Sequence, residues 1–130
     1  MGNGRETLGS DSSERTFANA AIIAGFNIQN SPSIRCYPPV LDKHGDLKKS
    51  VTTPDFLVTD LCIPRNMYVE VTRGSGDLPS KHAQQRVIAQ AKIANYIIIT
   101  GDQIAELEQA ESPDEKRRLL LDYFGWNDEE

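Results

Sequence analysis

The sequence predicts a mixed α/β fold, in which helices flank a sheet. Apolar residues at helical spacing near the N-terminus are followed by β-branched and aromatic runs, and then by a second helical stripe and a short apolar run. These observations give the order helix, three strands, helix, strand, with a helical tail after it. With 130 residues, 38% hydrophobic and 25% charged, the chain is expected to form one domain around one core, without disulfide or metal staples.

The first helix is predicted from its cap and its apolar spacing. Residues 1–11 are polar and rich in glycine, so we expect a flexible N-terminus. Ser12 or Ser13 can cap a helix that runs to about Ala24, and Gly25 is a natural stop. Its inward face is formed by apolar residues three and four positions apart, namely Phe17, Ala20, Ala21 and Ala24.

Three strands are predicted next. Residues 34–37 form a short candidate that Pro38-Pro39 would end, and residues 42–49 are typical of an exposed turn. Residues 53–61 and 67–73 are stronger candidates because β-branched and aromatic side chains are frequent in them. The connection between these two strands is short enough for a hairpin.

The second half of the chain begins with a predicted loop over residues 74–77. Pro79 opens a helix that is expected to reach about Ala94, and residues 96–100 form a buried apolar strand. Two further helices are predicted over residues 102–110 and 113–124, with Tyr123 and Trp126 packing the last helix onto the body.

Charge is distributed unevenly along the chain. The net charge is −5, but residues 101–130 hold ten acidic and three basic residues, whereas residues 1–100 hold nine acidic and eleven basic residues. The negative total therefore belongs to the acidic helical tail, 101–130, and the body is slightly basic. A polyanion partner is compatible with such a body.

No apolar run approaches the roughly 20 residues that a membrane-spanning helix needs, and the N-terminus has no apolar signal region. We therefore expect a cytoplasmic protein without membrane contact. Cys36 and Cys62 lack CxxC spacing and are expected to be small hydrophobic residues within strands.

Two acids lie within apolar strands, Asp55 in the second predicted strand and Glu70 in the third. Because a desolvated carboxylate is costly, each is expected to meet a cation, a metal or several donors. If the strands pair as a hairpin, both acids can share a hard divalent cation such as Mg²⁺. The alternative is that one acid pairs with Arg73 or Arg35 and the other reaches water at a strand end.

Further charged residues lie on the two helices. Glu14 in the first helical turn can interact with the helix dipole or complete a capping box with Asp11. On the helix after Glu70, a face next to the core stripe carries Lys81, Gln85, Ile88 and Lys92. A lysine on that face can act as a point charge toward a transition-state phosphate.

Together these residues resemble the PD-(D/E)XK nuclease superfamily over about residues 12–100. The resemblance is carried by Glu14, Pro54-Asp55, Glu70-Val71-Thr72, and a following helix with Lys81 and the pair Gln84-Gln85. It implies a restriction-endonuclease-like α-β-β-β-α-β core. The sequence departs from the family at Thr72, where lysine is usual. It is similar there to viral cap-snatching endonucleases, which recruit a lysine from the next helix.

The resemblance implies that Asp55, Glu70 and the main-chain carbonyl of Val71 bind Mg²⁺ or Mn²⁺, with Glu14 supporting a second ion or water. Lys81 would replace the motif lysine, with Lys92 as the second choice, and Thr72 and Gln85 would complete the catalytic set.

The expected function is phosphodiester hydrolysis in DNA or RNA, carried out by a homodimer or with a partner subunit. The alternative is a catalytically inactive nuclease-fold module that binds protein or nucleic acid. Thr72 in place of lysine favours that alternative.

Overall fold

The computed structural model describes residues 9, 11–60, 63–74 and 79–126. The elements in chain order are α1 (Ser12–Ile23), β1 (Asn27–Asn30), β2 (Ile34–Leu41), β3 (Leu47–Thr52), β4 (Phe56–Asp60), β5 (Arg65–Val71), α2 (Pro79–Gln90), β6 (Tyr96–Ile99), α3 (Gly101–Gln109) and α4 (Pro113–Phe124). The expectations for the flexible N-terminus, for Cys62 and for most of the 74–77 loop fall largely outside the described residues.

The strands form a four-stranded sheet in the order β1-β4-β5-β6 and a separate two-stranded sheet, β2-β3. In the larger sheet β1, β4 and β5 pair antiparallel, whereas β5 and β6 run parallel. The prediction of a mixed α/β fold is therefore confirmed, and the β2–β3 hairpin lies between β1 and β4 in sequence.

The prediction for the first strand of the main sheet was wrong. Residues 34–37 begin β2 of the smaller sheet, and the edge of the main sheet is β1, which pairs Ile28 with Val58 of β4. Ile28 is the only apolar residue of β1, and each of the four residues is exposed or half-buried. An edge strand with so little apolar content has a weak strand propensity. Its pairing with β4 in the folded chain makes it a strand.

The exposed turn predicted over residues 42–49 was too long. The carboxylate of Asp42 accepts the N–H groups of His44 (2.8 Å) and Asp46 (3.0 Å), which closes a tight turn, and β3 begins directly after it at Leu47. Pro38-Pro39 does not end β2, because the β2–β3 register shifts between Arg35 and Val40. Prolines are tolerated in such an irregular stretch, where regular ladder hydrogen bonds are interrupted.

Helix α2 ends at Gln90, earlier than the predicted Ala94. Lys92 adopts φ 62°, and the N–H groups of Lys92 and Ile93 donate to the carbonyls of Ala89 (3.0 Å) and Ile88 (3.1 Å). This is a Schellman termination. Lys92 therefore lies beyond the helix, and its predicted place on the Lys81 face was wrong.

The core lies between the main sheet and helices α1, α3 and α4. Phe17 of α1 stacks on Phe56 of β4 with 5.7 Å between ring centroids. Helices α3 and α4 contribute Ile104, Leu107, Leu120 and Phe124, and Tyr123 and Trp126 pack against this cluster as predicted. The acidic C-terminal helices are thus part of the core.

Helix α2 packs against β2 and β3. Cys36, as expected, is a buried residue of β2. Within the described ranges, no helix is long and apolar enough to cross a membrane.

Candidate active site

The β4–β5 pairing brings the two predicted acids together. The strands are antiparallel with Phe56 opposite Val69, so continuing the register by one residue sets Asp55 opposite Glu70. Because side chains alternate along a strand, and Val69 and Val71 belong to the core, Glu70 lies on the opposite face of the sheet. The predicted hairpin is confirmed, and it presents both carboxylates at the same end of the strand pair.

Asp55 is half-buried just before β4. Its Oδ2 accepts the N–H of Val71 at 2.8 Å, which joins it to the end of β5. Burial raises the pKa of the Asp55 carboxyl to about 7; the Val71 N–H and the Lys81 charge oppose this rise, whereas the negative charges of Glu70 and Glu14 add to it. Asp55 is therefore electrostatically coupled to both other acids of the predicted site.

Glu70 is buried and is held by two side chains of α2. Lys81 Nζ donates to Glu70 Oε2 in an ion pair, and Gln84 Nε2 donates to Oε1 at 3.3 Å. Arg73 instead lies 4.0 Å from Asp11 in an exposed ion pair. The lysine of the following helix, rather than an arginine, is thus the cationic partner of Glu70.

Tyr96 at the start of β6 extends this arrangement. Its hydroxyl donates to Gln84 Oε1, so the Gln84 amide presents its Nε2 to Glu70. Burial raises the pKa of the Tyr96 phenol well above its usual range, and the charges of Glu70 and Asp55 raise it further. Tyr96 is therefore a neutral hydrogen-bond donor to Gln84 at neutral pH.

Glu14 reaches the site from α1. Asp11 caps this helix by accepting the N–H of Glu14 at 2.8 Å. The Glu14 side chain is half-buried and, with Asp55, lines an open cleft of about 550 Å³. The other lining residues are Gly9, Arg15, Asn30, Ser31, Thr53 and Pro54. This cleft gives solvent and a ligand access to the Asp55 side of the site.

The remaining predicted residues do not meet the carboxylates in the same way. Thr72 is buried, and its Oγ1 accepts the N–H of Gly74 at 3.3 Å in the turn after β5. Gln85 is exposed, and the glutamine that contacts Glu70 is its neighbour Gln84. Lys92 is also exposed, beyond the end of α2.

Gln84 and Tyr96 have sequence features that point to the site, although neither was predicted to be a site residue. Gln84 and Gln85 are three and four residues after Lys81, so both can share its helical face, and the spacing alone does not choose between them. Tyr96 has the one polar side chain in the run Tyr96–Ile99, and a polar group beside an apolar strand needs a partner.

The donor chemistry fits an open, partly hydrated divalent-cation site. Among the residues that the structure describes, no group of three or more His, Cys, Asp or Glu side chains is arranged to hold a metal ion. Mg²⁺, however, is commonly held by one or two carboxylates together with waters and substrate phosphate oxygens. Asp55 and Glu70 supply two carboxylates at one end of the strand pair.

Comparisons with protein-family models, with curated proteins and with solved structures find no match to this chain. The support for a function therefore comes from the fold and from the site itself.

Proposed function

We propose that the protein is a metal-dependent nuclease that hydrolyses phosphodiester bonds of DNA or RNA. The observation that carries this proposal is the approach of Asp55 and Glu70 at the end of β4 and β5, with Lys81 of the next helix on Glu70. Leaving out the hairpin, the order α1-β1-β4-β5-α2-β6 is the α-β-β-β-α-β succession expected of the PD-(D/E)XK core. The β2–β3 hairpin is then an insertion into that core.

Asp55, Glu70 and the main-chain carbonyl of Val71 are the groups that would hold Mg²⁺ or Mn²⁺, and Glu14 lines the same cleft as Asp55. When bound, such an ion neutralises charge on the scissile phosphate and lowers the pKa of a coordinated water. The acids also supply the negative charge that attracts a divalent cation to the cleft.

The surrounding residues fix the carboxylates. The Val71 N–H orients Asp55 through Oδ2, while Gln84 and Lys81 each engage one oxygen of Glu70. Lys81 places an ammonium group beside the acids although residue 72 is threonine. That ammonium would stabilise the negative charge that develops on a phosphate in the transition state.

A second candidate is a non-catalytic module with the same fold. The observation that favours it is the Lys81–Glu70 ion pair, which neutralises Glu70 without a metal. In that case Lys81 is a structural partner of Glu70, and the chain binds a protein or nucleic acid without cleaving it.

Thermal unfolding with and without Mn²⁺ tests the two candidates. An intact site gains RT ln(1 + [L]/Kd) in the free energy of unfolding, about 2.7 kcal/mol at 100 Kd. We expect this gain in the wild type and in Glu108→Gln, an exposed acid of α3, and its loss in Asp55→Asn and Glu70→Gln.

Cleavage of a mixed set of labelled DNA and RNA substrates in Mn²⁺ completes the test. The nuclease proposal expects Mn²⁺-dependent cleavage by the wild type and by Glu108→Gln alone. A wild type that cleaves no substrate, whether or not it binds manganese, supports the non-catalytic candidate. Equal Mn²⁺ stabilisation of all four proteins would refute the shared carboxylate site.

A further inference from the structure

The β2–β3 hairpin carries a basic pocket that the carboxylate site does not use. Three lysines and a histidine line it, together with Asp42 and Ala83, and its volume is about 340 Å³. The cationic lining residues are Lys43, Lys48 and Lys49, with His44 beside them. Lys43, His44 and Lys48 are exposed, so their side chains are available to a ligand.

The acid in this pocket is already engaged. Asp42 accepts the N–H groups of His44 and Asp46. These backbone hydrogen bonds lower the pKa of its carboxyl, and the bond from Asp46 has the larger effect. Asp42 therefore holds the turn together. Residues 34–52 contain four basic residues and two acidic ones, counting Lys and Arg against Asp and Glu, so the hairpin keeps a net positive charge.

Helix α2 places this pocket near the carboxylates. Arg86 fastens the hairpin to α2 by donating to the carbonyls of Leu41 and Asp42, both at 3.2 Å. Ala83 lines the pocket, whereas its helix neighbours Lys81 and Gln84 contact Glu70. The basic pocket and the carboxylates thus flank the same N-terminal half of α2.

Two sites that flank one helix can engage the same nucleic-acid strand. A helix with its side chains is about 10–12 Å across. Phosphates repeat along a nucleic-acid strand, so a strand that crosses α2 can present one phosphate to the carboxylates and another to the pocket.

We propose that the basic pocket of the β2–β3 hairpin binds a backbone phosphate of the nucleic acid that the carboxylate site cleaves. This inference rests on the proposed nuclease function and assigns it a substrate-binding surface. Tyr37 is 90% exposed on the same hairpin, and such a ring can stack on an unpaired base. The hairpin therefore offers both charge and an aromatic surface to a single strand.

The experiment measures binding separately from cleavage. Fluorescence anisotropy in EDTA, with labelled single-stranded DNA and RNA and a DNA duplex, compares wild type with Lys48→Gln/Lys49→Gln. The single variants Lys48→Gln and Arg118→Gln each remove one positive charge and are compared with each other. Arg118 lies on the exposed side of α4 and serves as the matched control. Lys48→Arg/Lys49→Arg retains the charge and serves as the rescue, and melting curves verify that all variants are folded.

We expect Lys48→Gln/Lys49→Gln to bind at least tenfold more weakly, with a salt slope of log Kobs that is shallower by about 0.7–0.9 for each phosphate no longer neutralised. Lys48→Arg/Lys49→Arg and Arg118→Gln should bind like wild type. Unchanged affinity and salt slope in Lys48→Gln/Lys49→Gln, or a wild type that binds none of the three probes at low salt, would overturn the pocket proposal.

The two proposals fail in different ways. If the pocket variants lose binding but wild type cuts nothing in Mn²⁺, the pocket stands and the nuclease function does not. If wild type cuts and Lys48→Gln/Lys49→Gln shows the same KM and kcat, the nuclease stands and the pocket is refuted.

Discussion

Asp55 and Glu70 lie opposite each other but have different electrostatic environments. Glu70 has the ammonium group of Lys81 on one oxygen, whereas Asp55 has a single backbone donor and two acidic neighbours. The chain thus keeps one acid paired and leaves the other with a raised pKa. Perturbed acids of this kind are common at functional sites.

The first prediction concerns the pH dependence of Asp55. Its pKa is about 7 in the folded chain against an ordinary value of 3.8, so the folded state binds more protons between these values. The contribution of this carboxyl to stability is therefore full below pH 3.8 and is lost as the pH rises to about 7. In EDTA, the melting temperature of Asp55→Asn should rise relative to wild type from pH 4 to pH 7 and stay higher at pH 8. Parallel melting profiles across this range would contradict the raised pKa.

The second prediction concerns the Lys81–Glu70 pair, whose side chains are only 16% and 10% exposed. Removing one partner leaves the other charge in a poorly solvated place, so Lys81→Met and Glu70→Gln should each lower the free energy of unfolding. The double variant should lose less than the sum of the single losses, with a coupling of about 1–3 kcal/mol in urea unfolding without metal. Additive losses would show that the pair contributes nothing beyond its separate side chains.

At the scale of the element, the end of α2 shows a local conflict between residue type and backbone. Lys92 occupies the left-handed position of a Schellman motif, where α1 and α4 have Gly25 (φ 94°) and Gly125 (φ 73°). A residue with a Cβ raises the free energy of this conformation by about 1–2 kcal/mol. Glycine removes that strain, but it loses more chain entropy on folding, which offsets part of the gain.

The third prediction follows from this position. Lys92→Gly should raise the free energy of unfolding by about 0.5–1 kcal/mol, measured by urea denaturation. Lys92→Ala is the control, because it removes the lysine side chain and keeps the Cβ. Equal effects of the two substitutions would assign the change to the lysine charge instead of the backbone.

The elements with strong periodicity or apolar runs were predictable, and the others were not. The helices α1, α3 and α4 and the strands β4, β5 and β6 all occur close to their predicted places. By contrast, β1 and β3 are short and mostly polar or lysine-containing, and only their pairing with β4 and β2 makes them strands. The termination of α2 at a lysine has no glycine to mark it, so its end was placed four residues late.

The candidate site was likewise predictable only in part. Asp55 and Glu70 were found because a carboxylate in an apolar strand needs a partner, and the hairpin that joins them was predictable from its short connection. The identity of the glutamine on Glu70 depends on the rotation of α2 against the sheet. No property of Gln84 or Gln85 in the sequence fixes that rotation, and the packing of α2 on the hairpin decides it.

Asp60 was not singled out from the sequence, yet it connects distant parts of the chain. It is the last residue of β4 and is 2% exposed, and it pairs with Arg65 of β5 (3.0 Å) and Arg117 of α4 (3.4 Å). Arg65 also lies 4.6 Å from the ring centroid of Trp126, and Arg117 lies 4.6 Å from that of Phe26. This cluster joins helix α4 and the following Trp126 to the sheet, at the end of β4 opposite to Asp55.

The last prediction separates this fastening from the carboxylate site. Asp60→Asn keeps the shape of the side chain but leaves two guanidinium groups without their shared carboxylate, so the free energy of unfolding should fall by about 3 kcal/mol. Because Asp55 and Asp60 lie at opposite ends of β4, the additional stability gained from Mn²⁺ should equal that of wild type, whereas Asp55→Asn should lose it. Thermal unfolding of both variants with and without Mn²⁺ makes the comparison. A metal response that falls in Asp60→Asn as much as in Asp55→Asn would mean that the attachment of α4 controls the carboxylate site through β4.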